Sequence, residues 1–125
     1  MSDTTATKRL LVVDDALIMR AMIKDIAQQA GWQIAGEATN GRECLERYRE
    51  LSPDLVTLDI VMPEMDGVEA LRQLRQEDPP AMVVMVSAID QKEKLSECIR
   101  LGARDFIVKP FDRDHLRSLL QRYLG

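Results

Sequence analysis

The chain is 125 residues long, a common size for one domain and enough to bury most of the apolar surface that the unfolded polypeptide exposes. Hydrophobic residues make up 46% and charged residues 30%, the proportions of an ordinary soluble globular protein. The formal charge is −4, with 17 basic residues scattered among 21 acidic ones, which argues against a nucleic-acid surface, since phosphate backbones attract clustered Lys and Arg. No apolar run approaches the roughly 20 residues that span a bilayer, so membrane insertion is not expected. The opening stretch, Met1 to Arg9, is polar and has no apolar signal core, which points to the cytoplasm. A flexible tail over 1–7 and one domain over 8–125 are expected.

Taken in order, the chain alternates between two periods. Leu10–Val13 is a short apolar run with little polar alternation, as expected for a strand covered on both faces. Met19, Met22, Ile23, Ile26, Ala27 and Ala30 then repeat at helical spacing and stop at Gly31. Trp32 to Ala38 is less apolar and contains Gly36, which reads as an edge strand with Trp32 as a packing residue. Cys44, Leu45, Tyr48 and Leu51 form a second helical stripe, ended by Ser52-Pro53. Leu55–Leu58 is the next strand, and Val68, Leu71 and Leu74 the next helix, ended near Pro79-Pro80. Met82–Val86 is a strand, followed by the stripe Leu95, Cys98 and Ile99, closed by Gly102. Phe106–Val108 is the last strand, and Leu116, Leu119, Leu120 and Tyr123 mark the last helix. Cys44 and Cys98 lie at apolar helical positions and read as buried free thiols. Five strands alternating with five helices imply an α/β domain with a parallel sheet, because right-handed crossovers return the chain to the same edge.

The residues that end the strands carry the chemistry. The first strand ends in Asp14-Asp15, the third in Asp59, the fourth in Ser87 and the fifth in Lys109. In a parallel sheet these ends share one rim, where open α/β folds bind ligands. Singly, each has a plain explanation: Asp15 as a helix N-cap, Asp59 as a loop acid, Ser87 in a turn, Lys109 at the surface. Together, three carboxylates a few ångströms apart repel by roughly 1 to 4 kcal/mol per pair, which calls for a cation. Oxygen-only donors favour a hard ion, Mg²⁺ or its substitute Mn²⁺. A divalent ion and Lys109 would neutralise the three carboxylates, and such a site suits transfer of a phosphoryl group to an aspartate, with Ser87 donating to a phosphoryl oxygen.

The stretches Leu11-Val12-Val13-Asp14-Asp15, Pro53-Asp54-Leu55-Val56-Thr57-Leu58-Asp59, Met62-Pro63-Glu64-Met65-Asp66-Gly67, Ser87-Ala88, Gly102-Ala103 and Lys109-Pro110-Phe111 together resemble the receiver domain of two-component response regulators, from about Lys8 onward. The resemblance implies a flavodoxin-like (βα)5 doubly wound fold with five parallel strands in the order 2-1-3-4-5. It implies Asp59 as phospho-acceptor, Asp14 and Asp15 as the acidic pair holding Mg²⁺, and the backbone carbonyl of Val61 as a further ligand. Ser87 resembles the switch hydroxyl, Lys109 the phosphate-binding cation and Phe106 the switch aromatic. It also implies a cis Lys109-Pro110 bond, and Val61 and Ile89 flanking the path of the hydrolysing water.

The wording of these motifs is most similar to chemotaxis-type regulators. That implies phosphorylation by a chemotaxis histidine kinase and binding of a monomer to a flagellar motor switch protein through the face of the fourth helix, fifth strand and fifth helix. The chain would catalyse only its own phosphorylation and dephosphorylation. The alternatives are a receiver cut from a DNA-binding regulator, dimerising through Arg104, Asp105, Arg113, Asp114 and Arg117, or a phosphorelay intermediate. An aspartate-nucleophile phosphatase is disfavoured because Asp59-Ile60-Val61 lacks a second acid. A flavin module is disfavoured because the loop after Val13 is acidic and lacks phosphate-cradling Gly, Ser or Thr. His115 is expected to be exposed and without a role.

Overall fold

A computed structural model of the chain describes residues 7–125; the tail expected over 1–7 therefore lies, apart from Thr7, outside the described residues. The elements run β1 (Arg9–Val13), α1 (Leu17–Ala30), β2 (Gln33–Ala38), α2 (Gly41–Leu51), β3 (Leu55–Asp59), α3 (Gly67–Glu77), β4 (Val83–Ala88), α4 (Lys92–Arg100), β5 (Asp105–Lys109) and α5 (Arg113–Arg122). The five strands form one parallel sheet in the order β2-β1-β3-β4-β5. Strand order reverses beside β1, so the rim between β1 and β3 is the switch point of the sheet.

Alternation along each strand divides the core in two. Leu11, Val13, Val56, Leu58, Val83 and Met85 face α2, α3 and α4. Leu10, Val12, Leu55, Val84, Val86 and Ile107 face α1 and α5. Both faces of the central strands are thus covered, which is why they read as continuous apolar runs. At roughly 1.5–3 kcal/mol for each large side chain taken from water, these two layers fix the strand ends rigidly. Helix ends follow local chemistry. Gly31 (φ 110°) takes the left-handed conformation that ends α1, and the side chains of Asn40, Asp66 and Asp112 cap α2, α3 and α5.

Three details differ from the sequence expectations. Trp32 precedes the edge strand rather than lying on it. It is buried between α1 and α5, with its indole N–H donating to the Leu120 carbonyl (2.9 Å). Ile99 is 44% exposed, because the short helix α4 fully buries only Cys98 and turns its neighbour outward. The edge strand β2 is interrupted: Leu10 pairs with Ile34 and Leu11 with Gly36, which leaves Ala35 without a partner on β1. Such an irregularity makes an edge a poorer template for unwanted pairing. Cys44 and Cys98 are buried free thiols, as expected, and among the described residues no helix is long and apolar enough to cross a membrane.

Thr57, in the middle of β3, is fully buried, and its hydroxyl has no hydrogen-bond partner among the described residues. A buried unsatisfied hydroxyl costs on the order of 1–3 kcal/mol, and valine has the same shape. Thr57→Val should therefore raise the unfolding free energy in urea by about 1 kcal/mol. A loss of stability would instead reveal a partner for the hydroxyl, such as a buried water.

Candidate functional site

Four strands deliver the site. Asp14 follows the last residue of β1, Asp59 ends β3, Ser87 is the penultimate residue of β4 and Lys109 ends β5. One carboxylate oxygen from each of Asp14, Asp15 and Asp59 lies within 4.8 Å of the others, with Asp14 and Asp59 buried and Asp15 exposed. The Lys109 ammonium donates to Asp14 Oδ2 (3.0 Å) and sits 3.4 Å from Asp59 Oδ1. Three carboxylates and one ammonium leave a formal charge of −2 at one rim. The donor set fits a hard divalent cation: all three groups are carboxylates, and neither His nor Cys joins them among the described residues.

Local structure fixes each group. Asp14 Oδ1 accepts from the Ala16 N–H (2.9 Å), and its carbonyl accepts from the Arg20 guanidinium (2.8 Å). Arg20 in turn is anchored on Glu37 of β2 (2.9 Å). The Lys24 ammonium and then Arg20 hold the Glu37 carboxyl below its usual range, so this support stays ionised. Asp59 Oδ1 accepts from the Ile60 N–H (3.0 Å). The first residue of α3 must be Gly67: a Cβ there would fall 2.2 Å from the Asp59 carbonyl oxygen, and its N–H donates to Ile60 O (2.6 Å). Gly67 is the last residue of the Met62–Gly67 stretch quoted from the sequence, whereas Arg20 carries no such mark. Arg20 lies six residues after Asp14, on the face of α1 that turns toward β2, and that placement needs the fold.

Burial, with the nearby Asp14 charge, pushes the Asp59 carboxyl up to about 6, against the pull of Lys109. Burial alone would lower Lys109, but its hydrogen bond to Asp14 and the charges of Asp59 and Asp14 outweigh this and hold the ammonium above its usual value. One lysine therefore does not satisfy two buried acids.

Ser87 and Phe106 lie on one face of the sheet. Met85 pairs with Phe106, and Ser87 with Val108, so both side chains project toward α4. The Ser87 hydroxyl is buried without a partner, while Phe106 is 43% exposed and not covered as a plain strand residue would be. Val61 and Ile89 are exposed in the loops that follow β3 and β4. The Lys109–Pro110 peptide bond is cis. Asp15 does not cap α1: the N-cap position is Ala16, without a side-chain bond, and Asp14 supplies the nearby acceptor instead. His115 is exposed in the first turn of α5, where its backbone N–H meets the capping Asp112.

A raised carboxyl fixes the sign of a pH effect. Between about pH 4 and 6 the folded, metal-free chain binds more protons at Asp59 than the unfolded chain, so this contribution to stability falls as pH rises through 6. Asp59→Asn removes the charge. In EDTA it should stabilise the protein at pH 7.5 by up to about 2 kcal/mol, a gain that vanishes near pH 4. Equal urea midpoints for the two proteins at pH 7.5 would contradict this.

A family model for the response regulator receiver domain matches residues 10–121. The chain is 50% identical over 115 residues to the chemotaxis protein CheY of Thermotoga maritima, covering 92% of this chain and 96% of that protein. It is 48% identical over 117 residues to the chemotaxis protein CheY of Bacillus subtilis, covering 94% and 98%. Its fold matches a chain of the crystal structure of the CheX–CheY–BeF3–Mg+2 complex from Borrelia burgdorferi with a TM-score of 0.88 at 32% identity, over 94% of this chain and 90% of that one. The five-stranded order, the acidic rim and these likenesses agree, and the chain belongs to the response regulator receiver domain family.

Proposed function

We propose that this receiver takes a phosphoryl group from a histidine kinase onto Asp59 in the presence of Mg²⁺ and thereby changes the affinity of its α4–β5–α5 face for a partner. The observation that carries this reading is the uncompensated acidic cluster of Asp14, Asp15 and Asp59 around a single lysine. Asp14, Asp15 and Asp59, with the Val61 carbonyl, would hold the metal. A bound Mg²⁺ supplies positive charge that offsets the carboxylates and the transferring phosphoryl oxygens.

A carboxylate oxygen of Asp59 attacks the phosphorus of a phosphohistidine. The P–O bond forms as the P–N bond breaks, and the imidazole nitrogen leaves with its electron pair. That Oδ1 faces both the Ile60 N–H and Lys109 supports Oδ2 as the attacking oxygen. Lys109 then holds a phosphoryl oxygen as a point charge. Ser87, whose hydroxyl has nothing else to bond, donates to another. Movement of Ser87 toward the phosphoryl group vacates space on the face it shares with Phe106, and the exposed ring turns inward. This is a population shift biased by one new hydrogen bond and about one additional negative charge at Asp59.

Likeness over nearly the full length of two CheY proteins favours chemotaxis, with a chemotaxis kinase upstream, a flagellar motor switch protein downstream and a cytoplasmic location. A monomer is the favoured state. Of the five charges a dimer could have used, Asp105, Arg113, Asp114 and Arg117 are engaged within the chain with Arg122, Asp25 and each other, while Arg104 is exposed.

Incubation with a ³²P-labelled histidine kinase and Mg²⁺ should label the wild type within minutes, and Asp59→Asn or excess EDTA should abolish the label. Undiminished label on Asp59→Asn would overturn the assignment. The exposed apolar side chains of Val61 and Ile89 limit access of water to the acyl phosphate. Replacing Val61 by Asn and Ile89 by Glu together should change the dephosphorylation rate several-fold, read as release of inorganic phosphate; an unchanged rate would discard this role.

A further inference from the structure

The loop 60–66, between Asp59 and α3, has no regular structure of its own, yet it is tied to the N-terminus of α2. The Gly41 N–H donates to Met65 O (2.8 Å). The Asn40 amide donates to Glu64 Oε2 (3.3 Å), and the Arg42 guanidinium to Glu64 Oε1 (2.7 Å). Asn40 is buried and acts twice, since its Oδ1 also caps α2 by accepting from the Glu43 N–H (2.9 Å). Glu43 reaches back to the N–H and hydroxyl of Thr39, which makes this helix end a firm support. The approach is close: a Cβ at Gly41 would stand 2.6 Å from Met65 O and 3.0 Å from Asp66 O.

Glu64 is held at φ +67°, a left-handed conformation that a residue with a side chain adopts only at a cost. Glycine would fit that backbone better. A carboxylate persists there because both its oxygens find donors on α2. An unfavoured backbone maintained by side-chain contacts, three residues beyond Val61, is a feature of positioning rather than of stability.

We infer that Glu64, grasped by Asn40 and Arg42, is a positioning residue that fixes the loop after Asp59 and so pre-forms the oxygen set for the divalent cation. The inference rests on the phospho-receiver reading above, because it supplies that reading with a preorganised Val61 carbonyl. Exposed ion pairs contribute little to stability, so the effect belongs in cation affinity and loop opening rather than in the melting temperature.

The test is calorimetric titration of the metal-free chain with MgCl₂, paired with hydrogen exchange at the Met62–Asp66 amides. Glu64→Gly removes both side-chain bonds while relieving the left-handed strain. It should weaken Mg²⁺ binding roughly three- to tenfold and speed exchange in the loop without lowering the melting temperature. Glu64→Gln keeps one acceptor oxygen of the two and should bind Mg²⁺ with an affinity between those of the wild type and Glu64→Gly. Mg²⁺ affinity in Glu64→Gly equal to wild type, with the wild type binding normally, would overturn the role of Glu64. A wild type that binds no Mg²⁺ at millimolar concentration would instead defeat the phospho-receiver reading and this inference with it.

Discussion

Two buried carboxylates face one ammonium at the rim of the sheet, and a third carboxylate stands beside them. The remaining negative charge is the constraint on which the site depends. In water such repulsion would be screened; here Asp14 and Asp59 are removed from solvent, and the Asp59 carboxyl rises to about 6 in response. A fold that keeps such an arrangement gives up stability that a neutral side chain would recover, and its excess of negative charge suits a divalent cation. The same field that disfavours the cluster on its own favours a cation placed among the three carboxylates.

The rest of the molecule keeps that arrangement from relaxing. Apolar strands packed on both faces prevent the acids from separating, since any retreat would drag β1 or β3 out of a filled core. Arg20 fixes the backbone at Asp14, Gly67 lets α3 start directly against Asp59, and the loop between them is held by α2. By contrast, α4 begins without a side-chain cap and fully buries only one residue. It follows Ser87 in the chain and lies on the same face of the sheet as Phe106.

Periodicity alone located all five strands and all five helices, because apolar layers on both faces of a parallel sheet leave an unambiguous pattern. It failed at boundaries between layers. Ile99 continues the stripe of α4 in sequence but rotates past its buried edge, and Trp32 abuts the edge strand while its ring belongs between α1 and α5. The acidic triad was legible because its members end or directly follow strands, whereas the reading of Phe106 needed the family resemblance. Arg20 was not legible beside the acids, and Glu64 and Gly67 were legible only as members of the Met62–Gly67 stretch. What each one touches is set by tertiary approach and by a backbone angle; of these only the close approach at Gly67 leaves a mark in residue type. Asp15 shows the reverse case: a local rule suggests a helix cap, but the Ala16 N–H donates to Asp14 and the N-cap position is Ala16.

Diffraction at an energy where Mn²⁺ scatters anomalously, from crystals grown with Mn²⁺ in place of Mg²⁺, tests the account most directly. It predicts one strong anomalous peak in contact with the carboxylates of Asp14, Asp15 and Asp59. A peak bound elsewhere, with those three side chains empty at saturating metal, would contradict it.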